Sequence, residues 1–430
     1  MTSIILSVGD ELVLGQTVDT NSAWISQQLA AVGCDIGGHA TVPDDQAKIE
    51  AAIRDCASRA DFLIVSGGIG PTEDDLTRQA LAAALGVELD LNESWLVRLQ
   101  EFWSKRGSTM PAINAIQARI PRGATMIENT AGTAAGIRAP LKTGNEKSCE
   151  VFVVPGVPKE MKAMFLRDVL PHIQVHGGGA VILSRTLHTF GMGESAVAEK
   201  LGELMNRRRN PSVGTTVANG IVSLRVNARF PSLAEATKQV DETTASCRAA
   251  LGDLIFGQDQ ETLPHVVATL LTSADRKLTV TTAESCTGGL LAKMLTDLPG
   301  SSRYFQQGWV TYSNLAKYDR LGVPTDVINV YGAVSEPVVE AMAKNARRLS
   351  QSEFSLAISG IAGPDGGSAT KPVGTVCIAL GYPDPVNKQQ TLVNKRTFNL
   401  FGDREMIRDR AAKMALTMLR FHLLGKPLPF

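Results

Sequence analysis

Apolar positions along this chain come in short blocks separated by amphipathic stretches. The run Ile4 to Val8 stops at Gly9, and the stretch Asn21 to Val32 ends at Gly33, as a buried strand and a glycine-stopped helix would. A second helix is expected from near Asp44, whose carboxylate can cap it, to Arg59, followed by a strand over 61–66 that closes on Gly67-Gly68. Val151 to Val154, Pro155-Gly156 and a helix from Pro158 to Leu170 close a first α/β region at residue 175. Strands alternating with helices predict a parallel sheet covered on both faces.

His176-Gly177-Gly178-Gly179 reads as a linker, and after it come a strand over Val181–Phe190, a helix to Asn206 and an alternating run over Gly220–Phe230. These make a small α+β module over 176–260. From 261 to 430 the α/β alternation resumes, with a helix to Thr272, a strand Leu278–Ala283, a helix from Thr287, a strand Gly308–Ser313 and a helix to Leu321. A helix from Glu336, strands Phe354–Ile358 and Thr375–Leu380, and a last helix Asp403–Leu424 complete it. The expected fold is therefore α/β: two three-layer α/β domains with largely parallel sheets, 1–175 and 261–430, joined by the α+β module.

The length of 430 residues supports this division, because single cores stop growing at roughly 250–300 residues. Lys+Arg and Asp+Glu are equal at 43 each, which provides no overall field for nucleic acid or an anionic membrane. The one basic run, Arg207-Arg208-Arg209, reads as a solvated face. Six scattered cysteines form no CxxC pair and have no histidines at metal spacing, which suits reduced thiols in a cytoplasmic protein. The first residues carry no basic stretch before Asp10 and Glu11, and no apolar run approaches the ~20 residues of a membrane span, so neither a signal peptide nor a membrane segment is expected.

Open α/β sheets place chemistry where strands end and helix N-termini begin. Ala283-Glu-Ser-Cys-Thr-Gly-Gly289 lies at such a point: Ser285 ends a strand, and Thr287, Gly288 and Gly289 open a helix whose N–H groups can face an oxyanion or a phosphate. Serine needs a base to attack an amide. Tyr312, Asn314 and Lys317 lie after the next strand, and a lysine desolvated there can lose its proton. Gly360 and Gly363, in Ser359-Gly-Ile-Ala-Gly-Pro364, permit close approach to a ligand. Spacing alone equally allows Ser285 and Thr287 as helix caps, Cys286 as a buried filler and Lys317 as a solvated helix lysine.

In the first region, Ser66-Gly-Gly-Ile-Gly-Pro-Thr-Glu-Asp-Asp75 joins a glycine cradle, Gly67, Gly68 and Gly70, to the carboxylates Glu73, Asp74 and Asp75. Such a loop can hold a phosphate directly or through a divalent cation, while the acids equally suit the start of a helix.

Residues 265–425 resemble the C-terminal domain of the CinA family, the nicotinamide mononucleotide deamidase domain also found alone as PncC. Five motifs carry the resemblance in order: Ala283–Gly289, Val310–Asn314 with Lys317, Ser359–Pro364, Pro372–Val376, and Gly402–Glu405 leading into Arg408. It implies Ser285 as nucleophile, Tyr312 and Lys317 as its activators, the glycine loops as nucleotide holders, and Thr287 and Arg404 in carbonyl and phosphate contacts. No cofactor is implied for that reaction.

Residues 1–173 resemble the family's molybdopterin-binding-like domain through Gly9–Leu12, Gly15-Gln16, Thr20-Asn21, Gly67–Asp75, Asn129 with Gly132-Thr133, and Pro155–Met161. Arg185-Thr186 and Gly191–Glu194 resemble its KH-like connector. These implications include a metal-dependent ADP-ribose pyrophosphatase, with a divalent cation of the Mg, Mn or Co type at Glu11, Asp74 and Asp75, and the diphosphate against Gly67, Gly68 and Gly70. A molybdopterin-like ligand suits the same loop. A homodimer acting on NMN and ADP-ribose in pyridine nucleotide salvage is implied.

The chain departs from the family at Gly132–Gly136, which lacks the usual proline, and at Thr215–Asn219. The connector also lacks the Gly-x-x-Gly clamp of KH domains, which weighs against a nucleic-acid-binding alternative. Another alternative is a phosphohydrolase active only in the first domain.

Overall fold

A computed structural model of the chain describes residues 1–144, 147–176, 180–273 and 277–429; the expected linker glycines 177–179 lie outside the described residues. Contacts divide the chain into two compact units, Met1–Leu183 with Asn227–Val240, and Ser184–Val226 with Asp241–Phe430. Both are α/β, as the apolar pattern predicts.

The first unit is built on a six-stranded sheet ordered Asp35–Val42, Thr2–Val8, Phe62–Ser66, Ser148–Val154, Gly136–Lys142, Thr125–Ile127. Its first four strands are parallel and its last two antiparallel. The antiparallel part of this largely parallel sheet arises because no crossover helix separates 125–127, 136–142 and 148–154, which pair as hairpins. Ile4, Leu6, Leu63 and Val65 pack on one face with Ile49, Ile53 and Leu81 of the Gln46–Arg59 and Thr77–Leu85 helices. Ile5, Ile64 and Phe152 pack on the other with Ile25, Leu29 and Met161 from Thr20–Ala31 and Pro158–Met164. The cap of the Gln46–Arg59 helix is Asp45, which accepts from Lys48 N, and not Asp44.

A four-stranded sheet follows, ordered Ser212–Ala218, Ile221–Phe230, Val181–Phe190, Ile255–Gln258. The five-stranded sheet of the second unit runs Phe305–Val310, Val280–Glu284, Phe354–Gly360, Thr375–Pro383, Thr391–Asn399. Its first three strands are parallel and its last two antiparallel. The Thr391–Asn399 strand was not expected, since an edge strand half open to water carries polar residues and no clean alternation.

Side-chain size sorts the two faces of this sheet. Leu356, Ile358, Val376, Ile378 and Leu380 meet the Leu263–Leu271 and Arg404–Leu423 helices, while Ala283, Ala357, Cys377 and Ala379 meet the Glu336–Ser350 helix through Val339, Met342 and Ala343. Small residues on the second face let that helix sit close against the strands.

Candidate functional site

Val280–Glu284 is the central strand of the parallel part of its sheet, and every residue in it is buried, including Glu284 with no exposure. A carboxylate there needs hydrogen bonds. It accepts them from the N–H groups of Gly289 at 3.0 Å, Leu291 at 3.0 Å and Ala292 at 2.8 Å. The chain must turn back over the strand end to deliver those groups, and Gly288 and Gly289 do so with φ of 58° and 92°, a region that favours glycine.

The helix consequently starts at Leu290 rather than Thr287, and residues 285–289 form a turn. Because Glu284 takes the Gly289 N–H and Ser285 O takes that of Gly288, these two groups are not free for an oxyanion. Among the described residues the Thr287 N–H finds no acceptor and the Cys286 N–H turns only to its own thiol, so no other residue occupies these two donors of the segment. The Thr287 side chain is fully buried, and among the described residues its hydroxyl has no hydrogen-bond partner. Arg408, from the last helix, locks the turn by donating to Cys286 O at 3.1 Å and Thr287 O at 2.8 Å.

Lys317 comes to this turn from the neighbouring segment. The preceding strand ends at Val310, three residues earlier than the pattern suggests, and the Asn314–Leu321 helix is capped by Ser313, not by Asn314. In its first turn Lys317 points inward and is 1% exposed, against the solvated lysine that spacing alone would allow. Its Nζ lies 3.0 Å from Ser285 Oγ, 3.0 Å from Thr311 O and 3.4 Å from Tyr312 O. Burial pushes its pKa below the ordinary lysine value, while the neighbouring Cys286 acts in the opposite sense. Ser285 itself is 7% exposed.

The Tyr312 ring is exposed, and its hydroxyl accepts from Arg404 Nη2 at 2.8 Å; among the described residues it makes no hydrogen bond to Ser285 or Lys317. Arg404 also donates to Gly363 O at 2.7 Å, linking Tyr312 to the second glycine loop. Gly360 lies against the turn, where an added Cβ would stand 3.1 Å from Cys286 Sγ and 2.7 Å from Val376 Cγ2. The structure thus brings Ser285, Lys317 and Gly360 together, and ties Tyr312, Gly363 and Arg404 into a second group. Glu284, which sequence reasoning left without a role, is the residue it missed; an acid inside an otherwise uncharged buried strand was the available signal.

In the first unit Glu11, Gly67, Gly68, Gly70, Asp74 and Asp75 line one cavity of about 420 Å³, together with Asp44 and Glu160. Asp44 stands in this cavity instead of capping a helix. Burial raises its carboxyl pKa, and the charges of Asp10, Glu11 and Asp74 raise it further. Asp75 accepts from Thr72 through both backbone and hydroxyl. Among the described residues no three His, Cys, Asp or Glu side chains converge closely enough to hold a metal ion. Behind the loop, Arg78 is 1% exposed and donates to Ile69 O at 2.5 Å, and burial lowers its pKa to about 10. The loop is tight: a Cβ on Gly68, whose φ is +67°, would stand 2.2 Å from Thr77 Oγ1.

Among the described residues no helix is long and apolar enough to cross a membrane.

Three family models match the chain: the CinA C-terminal domain over residues 260–423, a probable molybdopterin binding domain over 4–174, and the damage-inducible protein CinA KH domain over 184–257. A Symbiobacterium thermophilum protein named as competence-damage inducible is 42% identical over 434 residues, covering 99% of each chain. A CinA-like protein of Geobacter sulfurreducens is 41% identical, covering 97% of this chain and 98% of its own. Among solved structures, a competence/damage inducible protein of Agrobacterium tumefaciens is 41% identical over 38% of this chain and 93% of its own, with a TM-score of 0.34.

Two outcomes are expected from this geometry. Replacing Glu284 with Ala should lower stability by about 3 kcal/mol, since three buried N–H groups lose a charged acceptor; denaturant titration measures this. All six cysteines are buried, with the thiol of Cys286 pushed up to about 12 by burial, so iodoacetamide at pH 8 should leave each unmodified in the native protein, as read by mass spectrometry.

Proposed function

Because the chain belongs to the CinA family, we propose that its C-terminal domain is a serine amidohydrolase that converts nicotinamide mononucleotide and water to nicotinate mononucleotide and ammonia. The observation that carries this reading is the surroundings of Lys317 Nζ. A neutral amine has two hydrogens and one lone pair. The carbonyls of Thr311 and Tyr312 accept the two hydrogens, which leaves the lone pair for the Ser285 hydroxyl at 3.0 Å. Burial favours that neutral form.

In the reaction Ser285 Oγ bonds to the carboxamide carbon while its proton passes to Lys317 Nζ. The resulting oxyanion is stabilised by the N–H groups of Cys286 and Thr287. Collapse breaks the C–N bond; Lys317 returns the proton to the departing nitrogen and ammonia leaves. Water, losing a proton to Lys317, then attacks the Ser285 ester, and the proton is returned to Oγ as nicotinate mononucleotide departs. Tyr312 serves through its main-chain carbonyl on Lys317, while its ring and Arg404 form an outer rim. No step needs a metal ion or cofactor.

A second reading concerns the first domain, where the cavity lined by Gly67, Gly68 and Gly70 suits the diphosphate of ADP-ribose. Glu11, Asp74 and Asp75 face the same cavity, but as they stand they do not converge on one ion.

Ammonia release from NMN in the presence of EDTA should fall by about a thousandfold or more in Ser285→Ala and Lys317→Met; a Ser285→Ala variant of unchanged rate sinks the reading. The rate of the wild type should rise with pH as Lys317 loses its proton, with the ascending limb below the ordinary lysine value. In the first domain, Gly68→Ala should abolish ADP-ribose binding, as read by titration calorimetry, while ammonia release persists, because the added methyl collides with Thr77.

A further inference from the structure

The motif Pro372–Val376 forms the neck of the second glycine loop. Ile361 N donates to Thr375 O at 2.9 Å, and Gly374 N donates to Ile361 O at 2.8 Å. Gly374, with φ of 95°, also accepts from Leu400 N at 2.8 Å, and a Cβ on it would stand 2.0 Å from Leu400 O, so only glycine fits the neck. Residues 362–373 therefore leave and rejoin the sheet at one point, as an Ω-loop does.

Two cationic side chains hold this loop from outside the neck. Near its start Arg404 donates to Gly363 O at 2.7 Å. Near its end Lys371 Nζ donates to Tyr331 O at 2.9 Å and to Val334 O at 2.7 Å. Those carbonyls lie in the corner between the Thr325–Tyr331 and Glu336–Ser350 helices, and an ammonium is favoured where a helix ends. The buried Ser359, just before Gly360, donates its hydroxyl to Ala333 O of the same corner at 2.7 Å. Both feet of the loop thus stand on one corner, while residues 364–370 between the anchors are exposed. The first foot borders the reacting centre, since Ser285 N donates to Ile358 O at 2.9 Å and a Cβ on Gly360 would stand 3.1 Å from Cys286 Sγ.

We infer that Lys371 is a positioning residue for the substrate: by pinning the far end of the second glycine loop to the 331–334 corner, it sets that loop as a wall of the Ser285 site before the substrate arrives. This rests on the amidohydrolase reading. Lys371 acts through the loop and not on the reacting atoms. Ser285 and Lys317 stand on other segments, the 285–289 turn and the Asn314–Leu321 helix, so loss of the anchor weakens substrate binding and spares the proton transfer. An ammonium suits the task because its three donors can take two carbonyls at once.

Lys371→Met keeps the apolar stem and removes the donors. With nicotinamide mononucleotide its KM should rise about tenfold, with kcat within about twofold of the wild type and the ascending pH limb unmoved. Lys371→Arg, whose guanidinium can donate to both carbonyls, should restore most of the KM. If Lys371→Met does not fold, Lys371→Gln is read in its place, since its shorter amide reaches at most one carbonyl. KM at the wild-type value, or a fall in kcat as large as the rise in KM, overturns the assignment. If the wild type releases no ammonia, the amidohydrolase reading fails, and elastase cleavage after Ala369, followed by mass spectrometry, decides the anchor. Cutting about fivefold faster in the variant than in the wild type retains Lys371 as the pin of the loop, and equal cutting overturns it.

Discussion

A carboxylate at the end of a fully buried strand has no water to solvate it, and the second unit is organised around that fact. Glu284 takes the N–H groups of Gly289, Leu291 and Ala292, so the chain must fold back over the strand within a few residues. The reversal demands glycine at 288 and 289, starts the helix at Leu290 and leaves Ser285 standing at the turn. Arg408 fastens the same turn from the opposite end of the chain. One buried charge thereby sets the position of the candidate nucleophile and decides which amide groups remain free beside it.

Lysine burial depends on the packing of the adjoining layer. The face of the sheet that carries Ala283, Ala357 and Ala379 is made of small residues, and the Glu336–Ser350 helix lies close upon it. Lys317 reaches the strand ends from the short Asn314–Leu321 helix and finds two carbonyl oxygens and a hydroxyl, with no carboxylate among its hydrogen-bond partners. An ion pair would have held it charged. Burial, with no such partner, lowers its pKa below the ordinary lysine value.

The glycine turns at 67–70 and 288–289 solve opposite problems. In the second unit a buried carboxylate satisfies surplus N–H groups, whereas in the first the buried guanidinium of Arg78 satisfies the carbonyl of Ile69. Occupying a carbonyl leaves a loop's N–H groups for an anion, while occupying N–H groups fits a turn whose task is to present a side chain. Around the first cavity burial, ahead of the charges of Asp10, Glu11 and Asp74, raises the carboxyl pKa of Asp44.

Much of this was legible in the letters. Alternating apolar runs and amphipathic stretches determined the α/β class and the main parallel strands, because burial on both faces demands exactly such runs. Strand-end glycines and the motifs around Ser285, Lys317 and Gly67 marked both loops. What the letters could not determine was which hydrogen bonds the buried groups would make. Lys317 is an ordinary surface residue by composition, and only its packing turns it inward to Ser285; Tyr312 looks like its partner in catalysis, and only the tertiary arrangement gives its hydroxyl to Arg404. The strand Thr391–Asn399 and the cap at Ser313 were likewise hidden, since an edge strand is defined by its neighbour and a cap by where the preceding strand stops. Local pattern determines what a segment must bury, whereas the polar partners of a buried group are supplied by distant segments that only the folded chain brings together.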